Sequence, residues 1–306
     1  MCTTCGCSDS SQVTFTDPKT GLHSHGDGPV HSHAHDGDGS SHPHTHDHQH
    51  AHDHDHSRDH TPAYRYRPVQ PKTRKVTLEE GILAKNQLLA ERNRGWLAAR
   101  GILALNLMSS PGSGKTTLLE RTLTDLKGEL SISVIEGDQA TANDAHRIRA
   151  TGCDVIQINT GAGCHLEANM LAHGMAQLDP PQSSVVMIEN VGNMVCPALF
   201  DLGEHAKVVI LSVTEGEDKP IKYPHMFRAA SLMIINKIDL LPHVRFDVER
   251  CIAYACQANP DIEVLQVSAE TGEGTSEWYA WVQARMAAMH RTKAVAPDRA
   301  HATASS

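Results

Sequence analysis

The sequence predicts an α/β protein built on a doubly wound, mostly parallel sheet of seven strands, preceded by a Cys/His-rich tail. Three observations carry that prediction. Short apolar runs at 102–108, 132–135, 155–158, 185–188, 208–213, 232–235 and 264–267 alternate with stretches of helical character, and runs so continuously apolar suit strands covered on both faces by crossover helices. A glycine-rich loop directly follows the first run. The composition also breaks sharply near residue 60.

The first 60 residues hold fourteen of the 22 histidines and nine aspartates, against Lys19 and Arg58 as fixed cations. Their large apolar residues are limited to Val13, Phe15, Leu22 and Val30. Such a segment has too little apolar surface to offset chain entropy, so it is expected to be disordered. Residues 61–75, with Pro62, Pro68 and Pro71, read as an extended linker. The expected organisation is a tail over 1–75, a folded domain with a leading helix over 76–290, and a disordered C-terminal tail over 291–306. In the leading helix Thr77 is the expected cap, with Glu79 and Glu80 in the first turn. Leu78, Ile82, Leu89 and Trp96 form its apolar stripe, which runs up to Gly101.

Charge excludes several partners. The tail carries −7 of the formal −9, which leaves the rest of the chain nearly neutral. Apart from the linker cluster Arg65, Arg67, Lys72, Arg74 and Lys75 there is no basic stripe, so nucleic acid is not expected as a partner. No apolar run approaches the roughly 18 residues of a membrane span, and the N-terminus lacks the regions of a signal peptide. A cytoplasmic protein with no membrane partner is expected. In that reducing setting the eight cysteines read as metal ligands or thiols rather than as a disulfide framework.

Ligands of doubly wound sheets bind beyond the carboxyl ends of the strands, and the chemical motifs fall there. The first is Ser109-Ser110-Pro111-Gly112-Ser113-Gly114-Lys115-Thr116-Thr117, a phosphate-binding loop. Gly112, Ser113 and Gly114 turn backbone N–H groups toward phosphates at a helix start. Lys115 reaches the outer phosphates, and the Thr116 hydroxyl is suited to ligate Mg²⁺, with Thr117 beside it. Ser109 replaces the first glycine of the general pattern. Asn236-Lys237-Ile238-Asp239 supplies a carboxylate that accepts hydrogen bonds from guanine N1–H and the 2-amino group, a donor pair that adenine lacks. Ser268-Ala269 stands where a backbone N–H meets guanine O6, so the expected nucleotide is GTP. Two acidic stretches, Glu136-Gly137-Asp138 and Glu189-Asn190-Val191-Gly192, face the same region. Asp138 and Glu189 are expected to reach Mg²⁺ or its waters, and Gly192 to approach the γ-phosphate. Lys115 and Asp138 are the expected catalytic groups, with Asp144 the alternative carboxylate and Arg147 and Arg149 unproven sources of positive charge.

Three clusters suit softer ions. Cys2, Cys5 and Cys7 form a CxxCxC start. If Met1 is removed, the α-amine of Cys2 joins them in a four-ligand set suited to square-planar Ni²⁺ or tetrahedral Zn²⁺. The histidines from His23 to His60 suit weak binding of several ions, released as the rings protonate. The third cluster is Cys164-His165 together with Cys196, four residues beyond Gly192. Cys196 lies on the segment expected to sense the γ-phosphate, so metal affinity should follow nucleotide state. Three ligands leave that site unfinished, and a second subunit in a homodimer would complete it. The plainer alternative is two small buried thiols and a core histidine. Cys153, Cys251 and Cys256 read as core or surface residues.

Taken together, the CxxCxC start, the histidine tract, the SSPGSGKTT loop, Glu136-Gly137-Asp138, the GxGCH element ending at His165, ENVGNxVCP from Glu189 to Pro197 and NKxD from Asn236 to Asp239 resemble the hydrogenase nickel-incorporation GTPases, the HypB family. The resemblance covers nearly the whole chain. It implies a P-loop GTPase sheet of the SIMIBI class and a dimer promoted by nucleotide or metal. It further implies delivery of nickel to the large-subunit precursor of nickel–iron hydrogenase, with a partner nickel-maturation metallochaperone. Two metal sites are also implied: a tight nickel site at Cys2, Cys5 and Cys7, and a site at Cys164, His165 and Cys196 that takes nickel or zinc. Urease-accessory GTPases share the P-loop domain but use a Cys-Pro-His element, where this chain has Cys196-Pro197-Ala198. A nickel store with structural GTP binding and a zinc-transfer GTPase are the other readings. If Asp239 reads guanine, Asp239→Asn shifts preference from GTP to xanthosine nucleotides in a competition binding assay. Unchanged GTP binding would refute the assignment.

Overall fold

The computed structural model describes residues 13–17, 23–25, 73–139 and 143–295. Cys2, Cys5, Cys7 and most of the histidine tract and linker lie outside the described residues. Two short strands, β1 (Thr14–Thr16) and β2 (His23–His25), precede a long helix, α1 (Thr73–Arg100). The alternation then runs β3 (Leu103–Ser109), α2 (Lys115–Asp125), β4 (Ile132–Asp138), α3 (Asn143–Ala150), β5 (Asp154–Asn159), α4 (Ala168–Leu178) and β6 (Val185–Glu189). It continues with α5 (Cys196–Leu199), β7 (Ala206–Ser212), α6 (Lys219–Lys222), α7 (Pro224–Ala229), β8 (Leu232–Asn236), α8 (Val248–Ala258), β9 (Glu263–Val267) and α9 (Thr275–Val295).

The sheet order is β2-β1-β5-β4-β6-β3-β7-β8-β9. All pairings from β3 to β9 are parallel, so the doubly wound class holds, and each of the seven expected runs is one of these strands. Alternate residues point to opposite faces. Leu105, Val134, Met187 and Val208 pack with Leu118 and Leu119 of α2, Ile148 of α3 and Trp278 of α9. The opposite face is covered by α1 and α4 on one side and by α7 and α8 on the other. The Trp278 indole N–H is satisfied by Thr122 Oγ1 at 2.9 Å.

Three expectations are corrected. The tail is not wholly without structure, because β1 and β2 add to the sheet, with β1 antiparallel to β5 and β2 antiparallel to β1. Left bare, β5 would present a row of unpaired backbone groups, and β1 pairs with it. Val13 and Phe15, two of the few apolar residues in the tail, are buried against Ile158, Leu171 and Met175. An average over 60 residues conceals so short a segment. The second correction concerns the leading helix, which starts at Thr73, so Thr77 lies inside it and is not its cap. Ile82 is exposed, and the buried face is Asn86, Ala90, Asn93 and Leu97. Two of those four are polar, which hid the stripe. Asn86 Nδ2 donates to Asp201 O at 2.7 Å and its Oδ1 accepts from Ala168 N at 2.9 Å. Asn93 Nδ2 donates to the carbonyls of Ala168 and Leu202 at 2.8 and 2.9 Å. At the other end, α9 continues to Val295, past the expected boundary at 290.

The loop 201–204 passes so close to α1 that a Cβ on Gly203, whose φ is +89°, would stand 2.4 Å from Ala90 O. Gly203→Ala therefore combines a left-handed backbone penalty with overpacking, a loss of about 2–4 kcal/mol in denaturant unfolding. Gly95→Ala, in the same helix with nothing near its Cβ, is expected to gain about 0.5–1 kcal/mol.

Candidate functional site

The glycine-rich loop turns from β3 into α2 at Gly112 and Gly114, with φ of +76° and +92°. A Cβ on Gly114 would lie 2.5 Å from Asn236 Nδ2, so glycine is required both by φ and by contact. The elements that the sequence reading assigned to one nucleotide touch each other. Asn236 Nδ2 donates to Ser113 O at 2.9 Å, and Lys237 Nζ donates to Gly112 O at 2.7 Å. Ala269 N donates to Asn236 Oδ1 at 3.1 Å, and Ser268 Oγ donates to Asp239 Oδ1 at 2.6 Å. Ser109, at the position of the missing glycine, accepts from Lys115 Nζ at 2.8 Å.

One contributor carries no motif. Arg121, in α2, donates from Nε to Ala269 O at 2.7 Å and from Nη2 to Glu270 O at 2.9 Å. It props the loop expected to meet guanine O6. The only sequence signal for it was its place one turn after the phosphate loop.

The acidic residues converge beside Lys115. Glu136 and Glu189 are register partners on adjacent strands β4 and β6, and both are buried. Thr116 Oγ1 donates to Glu189 Oε1 at 2.7 Å, while Glu136 Oε2 and Glu189 Oε2 have no hydrogen-bond partner. Burial, then the charges of Glu189, Asp138 and Asp144, pushes the Glu136 carboxyl up to about 9. Burial also raises Glu189, against the opposing pull of Lys115 and Thr116. Like charges directly opposite on neighbouring strands repel, and a buried carboxylate oxygen without a partner is costly. The donors present, all oxygens, fit a hard divalent cation such as Mg²⁺. Asp138 lies two residues along the same strand, on the face of Glu136 but nearer solvent. Arg147 is held by Glu120 Oε2 at 2.5 Å and Asp144 Oδ1 at 3.3 Å, and its Nη2 also reaches Thr117 Oγ1 at 3.3 Å.

The second constellation lies on the same edge of the sheet. Cys164 Sγ and Cys196 Sγ are 2.9 Å apart, and Cys164 Sγ is 3.7 Å from His165 Nδ1. One ligand atom from each residue lies within 4.8 Å of the others. Burial lowers the His165 imidazole to about 4, which keeps it in the neutral, ligating form. Its ring packs on Phe200 at 3.8 Å, and Nε2 is 3.9 Å from Glu167 Oε1. Two sulfurs and one nitrogen suit Ni²⁺ or Zn²⁺. The three side chains converge with His165 buried and both thiols half-buried.

The backbone that carries these three residues is tied down by a threonine hydroxyl and by asparagine amides. Thr160 Oγ1 donates to Gly163 O at 2.8 Å, closing the turn before Cys164. Asn190 Oδ1 accepts from both Leu166 N and Val191 N, at 3.2 and 3.0 Å. Asn193 Oδ1 accepts from Val195 N and Cys196 N at 2.7 and 3.3 Å. Between them Gly192 runs against Pro111, and an added Cβ would stand 3.1 Å from that ring.

Comparison with known proteins adds a family to this geometry. A model described as "CobW/HypB/UreG, nucleotide-binding domain" matches residues 103–266. The hydrogenase maturation factor HypB of Escherichia coli strain K12 is 50% identical over 291 residues, which span 94% of this chain and 100% of that protein. The chain belongs to the HypB family of hydrogenase maturation factors. The crystal structure of HypB from Archaeoglobus fulgidus aligns with TM-score 0.62 at 41% identity, covering 66% of this chain and 99% of that one. HypB from Helicobacter pylori, crystallised in complex with nickel, aligns with TM-score 0.63 at 36% identity, covering 67% of this chain and 96% of that one. Among the described residues no helix is long and apolar enough to cross a membrane.

For this HypB-family site, removal of the Arg121 prop has a defined cost. Arg121→Met should weaken GTP binding about tenfold, the loss of one to two charge-assisted hydrogen bonds. The dissociation constant for GTP is read by isothermal titration, and the stability of the GTP-free protein separately by thermal melting.

Proposed function

We propose that this HypB-family chain hydrolyses GTP to GDP and phosphate and uses that cycle to bind and release nickel for the maturation of nickel–iron hydrogenase. One observation carries the reading. A single eight-residue segment, 189–196, begins at the buried carboxylate that accepts from Thr116, passes Pro111 of the phosphate loop at Gly192 and ends at Cys196 beside Cys164. Whatever moves at the phosphates is therefore transmitted over a short, hydrogen-bonded path to a metal ligand.

In this mechanism Gly112, Ser113, Gly114, Lys115, Thr116 and Thr117 hold the phosphates, while Asn236, Lys237, Asp239, Ser268 and Ala269 hold guanine. Lys115, freed from Ser109, stabilises charge on the outer phosphate. Asp138, near solvent at the end of β4, orients the attacking water. Thr116 and Glu189, with Glu136 and Asp138 around them, are the residues that would hold Mg²⁺, whose contribution is to neutralise phosphate charge. The Gly192 N–H answers to the γ-phosphate, and its release on hydrolysis loosens Cys196.

Nickel is cargo here. Cys164, His165 and Cys196 accept Ni²⁺ or Zn²⁺, and a second copy across a homodimer completes the ligand set. Cys2, Cys5 and Cys7 form the tighter nickel site. The large-subunit precursor of hydrogenase receives the metal in the cytoplasm, with a partner nickel-maturation metallochaperone taking part in delivery. The relatives' name as hydrogenase maturation factors, and the nickel complex of the H. pylori protein, support this reading.

The test is nickel affinity at the Cys164/His165/Cys196 site, measured on protein with Cys2, Cys5 and Cys7 changed to Ser. A GTP analogue and GDP should give dissociation constants that differ by about tenfold, a coupling of about 1.4 kcal/mol. Equal affinities would overturn the coupling. Lys115→Ala should abolish hydrolysis, and if nickel delivery to hydrogenase survived that change, storage rather than switching would be the role.

A further inference from the structure

His165 can meet a metal ion through only one of its ring nitrogens at a time. A neutral imidazole carries its proton on one nitrogen and a ligating lone pair on the other, so the tautomer decides which edge of the ring is the ligand. Nδ1 is the nitrogen on the sulfur side, 3.7 Å from Cys164 Sγ. The site therefore needs the proton on Nε2. Packing alone does not make that choice. The ring lies against Phe200, with centroids 3.8 Å apart and planes 31° apart, and such a stack fixes the plane of an imidazole without regard to which nitrogen is protonated.

What distinguishes the two nitrogens is the polar group near each. Nε2 lies 3.9 Å from Glu167 Oε1. Both atoms are buried, and neither has a hydrogen-bond partner. A buried donor or acceptor left unpaired costs roughly 1–3 kcal/mol. These two satisfy each other once the gap closes by about 1 Å, to the ordinary N–H···O distance.

Glu167 is free to make that movement. It stands just before the first turn of α4, where a side-chain oxygen ordinarily accepts from the helix's own N–H groups. Its side chain makes no such bond. Asn86, on α1, supplies the acceptor instead, its Oδ1 taking the N–H of Ala168 at 2.9 Å. The carboxyl is thereby left over from the cap, with one buried oxygen beside the imidazole. The Glu167 side chain is 23% exposed and that of His165 only 3%, so the acid has room to turn where the ring does not.

We propose that Glu167 is a positioning residue for the metal site: it accepts the Nε2–H of His165 and so holds the imidazole in the tautomer that presents the Nδ1 lone pair beside Cys164 and Cys196. The inference rests on the metal-site reading above and adds to it the group that readies the nitrogen ligand. Carboxylate partners of this kind fix the orientation of a ligating histidine and raise its basicity. Divalent nickel or zinc then displaces no proton from His165, and the pair is the same in the metal-free and the loaded protein.

The test uses the full chain with Cys2, Cys5 and Cys7 changed to Ser and its histidines labelled with a heavy nitrogen isotope. A His165→Gln control identifies the His165 signal in the NMR spectrum. In the metal-free protein at neutral pH the ring should be the Nε2–H tautomer. Glu167→Leu removes the acceptor, so the proton should move largely to Nδ1, while Glu167→Gln keeps an oxygen acceptor and should retain the wild-type tautomer. Nickel affinity, read by competition with a chelator, should fall about ten- to a hundredfold in Glu167→Leu and by less in Glu167→Gln. Thermal melting and GTP binding report that each variant is folded, and Glu167→Ala repeats the comparison without added bulk. An Nδ1–H ring in the wild type, or a tautomer or a nickel affinity that stays at the wild-type value in Glu167→Leu and Glu167→Ala, would overturn the proposal. A failure of the metal-site reading looks different: His165→Gln then leaves nickel binding unchanged, while the tautomer comparison, which needs no metal, still decides what Glu167 does to the ring.

Discussion

Two carboxylates, Glu136 and Glu189, stand directly opposite one another on adjacent parallel strands, buried next to a lysine. That juxtaposition is electrostatically unfavourable by itself, and much of the surrounding structure responds to it. Lys115 and Thr116 come from the glycine-rich loop on β3, the strand on the other side of β6. The parallel arrangement brings all these groups to one edge, because the strands from β3 to β9 all end there. A carboxyl held neutral by burial and by its acidic neighbours, with oxygens that lack a hydrogen-bond partner, can give up its proton when a cation arrives.

The second recurring device is the buried asparagine. Asn106 on β3 donates to Glu204 Oε1 at 3.0 Å and accepts from Asn190 Nδ2 at 3.1 Å. Glu204 Oε2 in turn accepts from Leu202 N at 2.7 Å, and Leu202 O accepts from Asn93 on α1. A connected run of amides and one carboxylate thus joins the segment after Glu189 to the long leading helix. Asn236 performs the same service between the phosphate loop and the Ser268-Ala269 turn. Turn backbone at the edge of a sheet has no strand or helix partner, and an amide side chain supplies both a donor and an acceptor to satisfy it. Rigidity here has a use, since loops held by such bonds shift as units.

The cluster of Cys164, His165 and Cys196 depends on the same kind of side-chain-to-backbone bond. Cys164 and His165 sit on the turn closed by Thr160, and Cys196 sits on the turn held by Asn193, with Asn190 fastened to both stretches. The cluster is therefore a property of two loops kept in register. Exposed Val195 and Leu199 flank Cys196, which places apolar surface next to the half-buried thiols.

Much was already legible in the order of residues. Seven apolar runs became seven parallel strands, because continuous apolarity over a strand's length has few other stable uses. Asn236 touches Ser113 and Asp239 touches Ser268, because each motif lies just past a strand and parallel strands all end on one edge. What the order of residues concealed was of two kinds. Polar side chains in buried roles, such as Asn86 and Asn93, break the apolar periodicity by which a buried face is recognised, and Arg121 belongs to no motif at all. Weak local signals also gain meaning only from a partner. Val13 and Phe15 are unremarkable within a charged, histidine-rich stretch until the bare edge of β5 offers them a strand to pair with and a core to enter. The sequence by itself determined which chemistry is present, since residue type sets ligand softness, charge and hydrogen-bond pattern. Tertiary structure decided which groups share a space, that Glu136 faces Glu189 and that the edge of β5 is covered by β1, because strand order and direction are set by packing between segments distant in the chain.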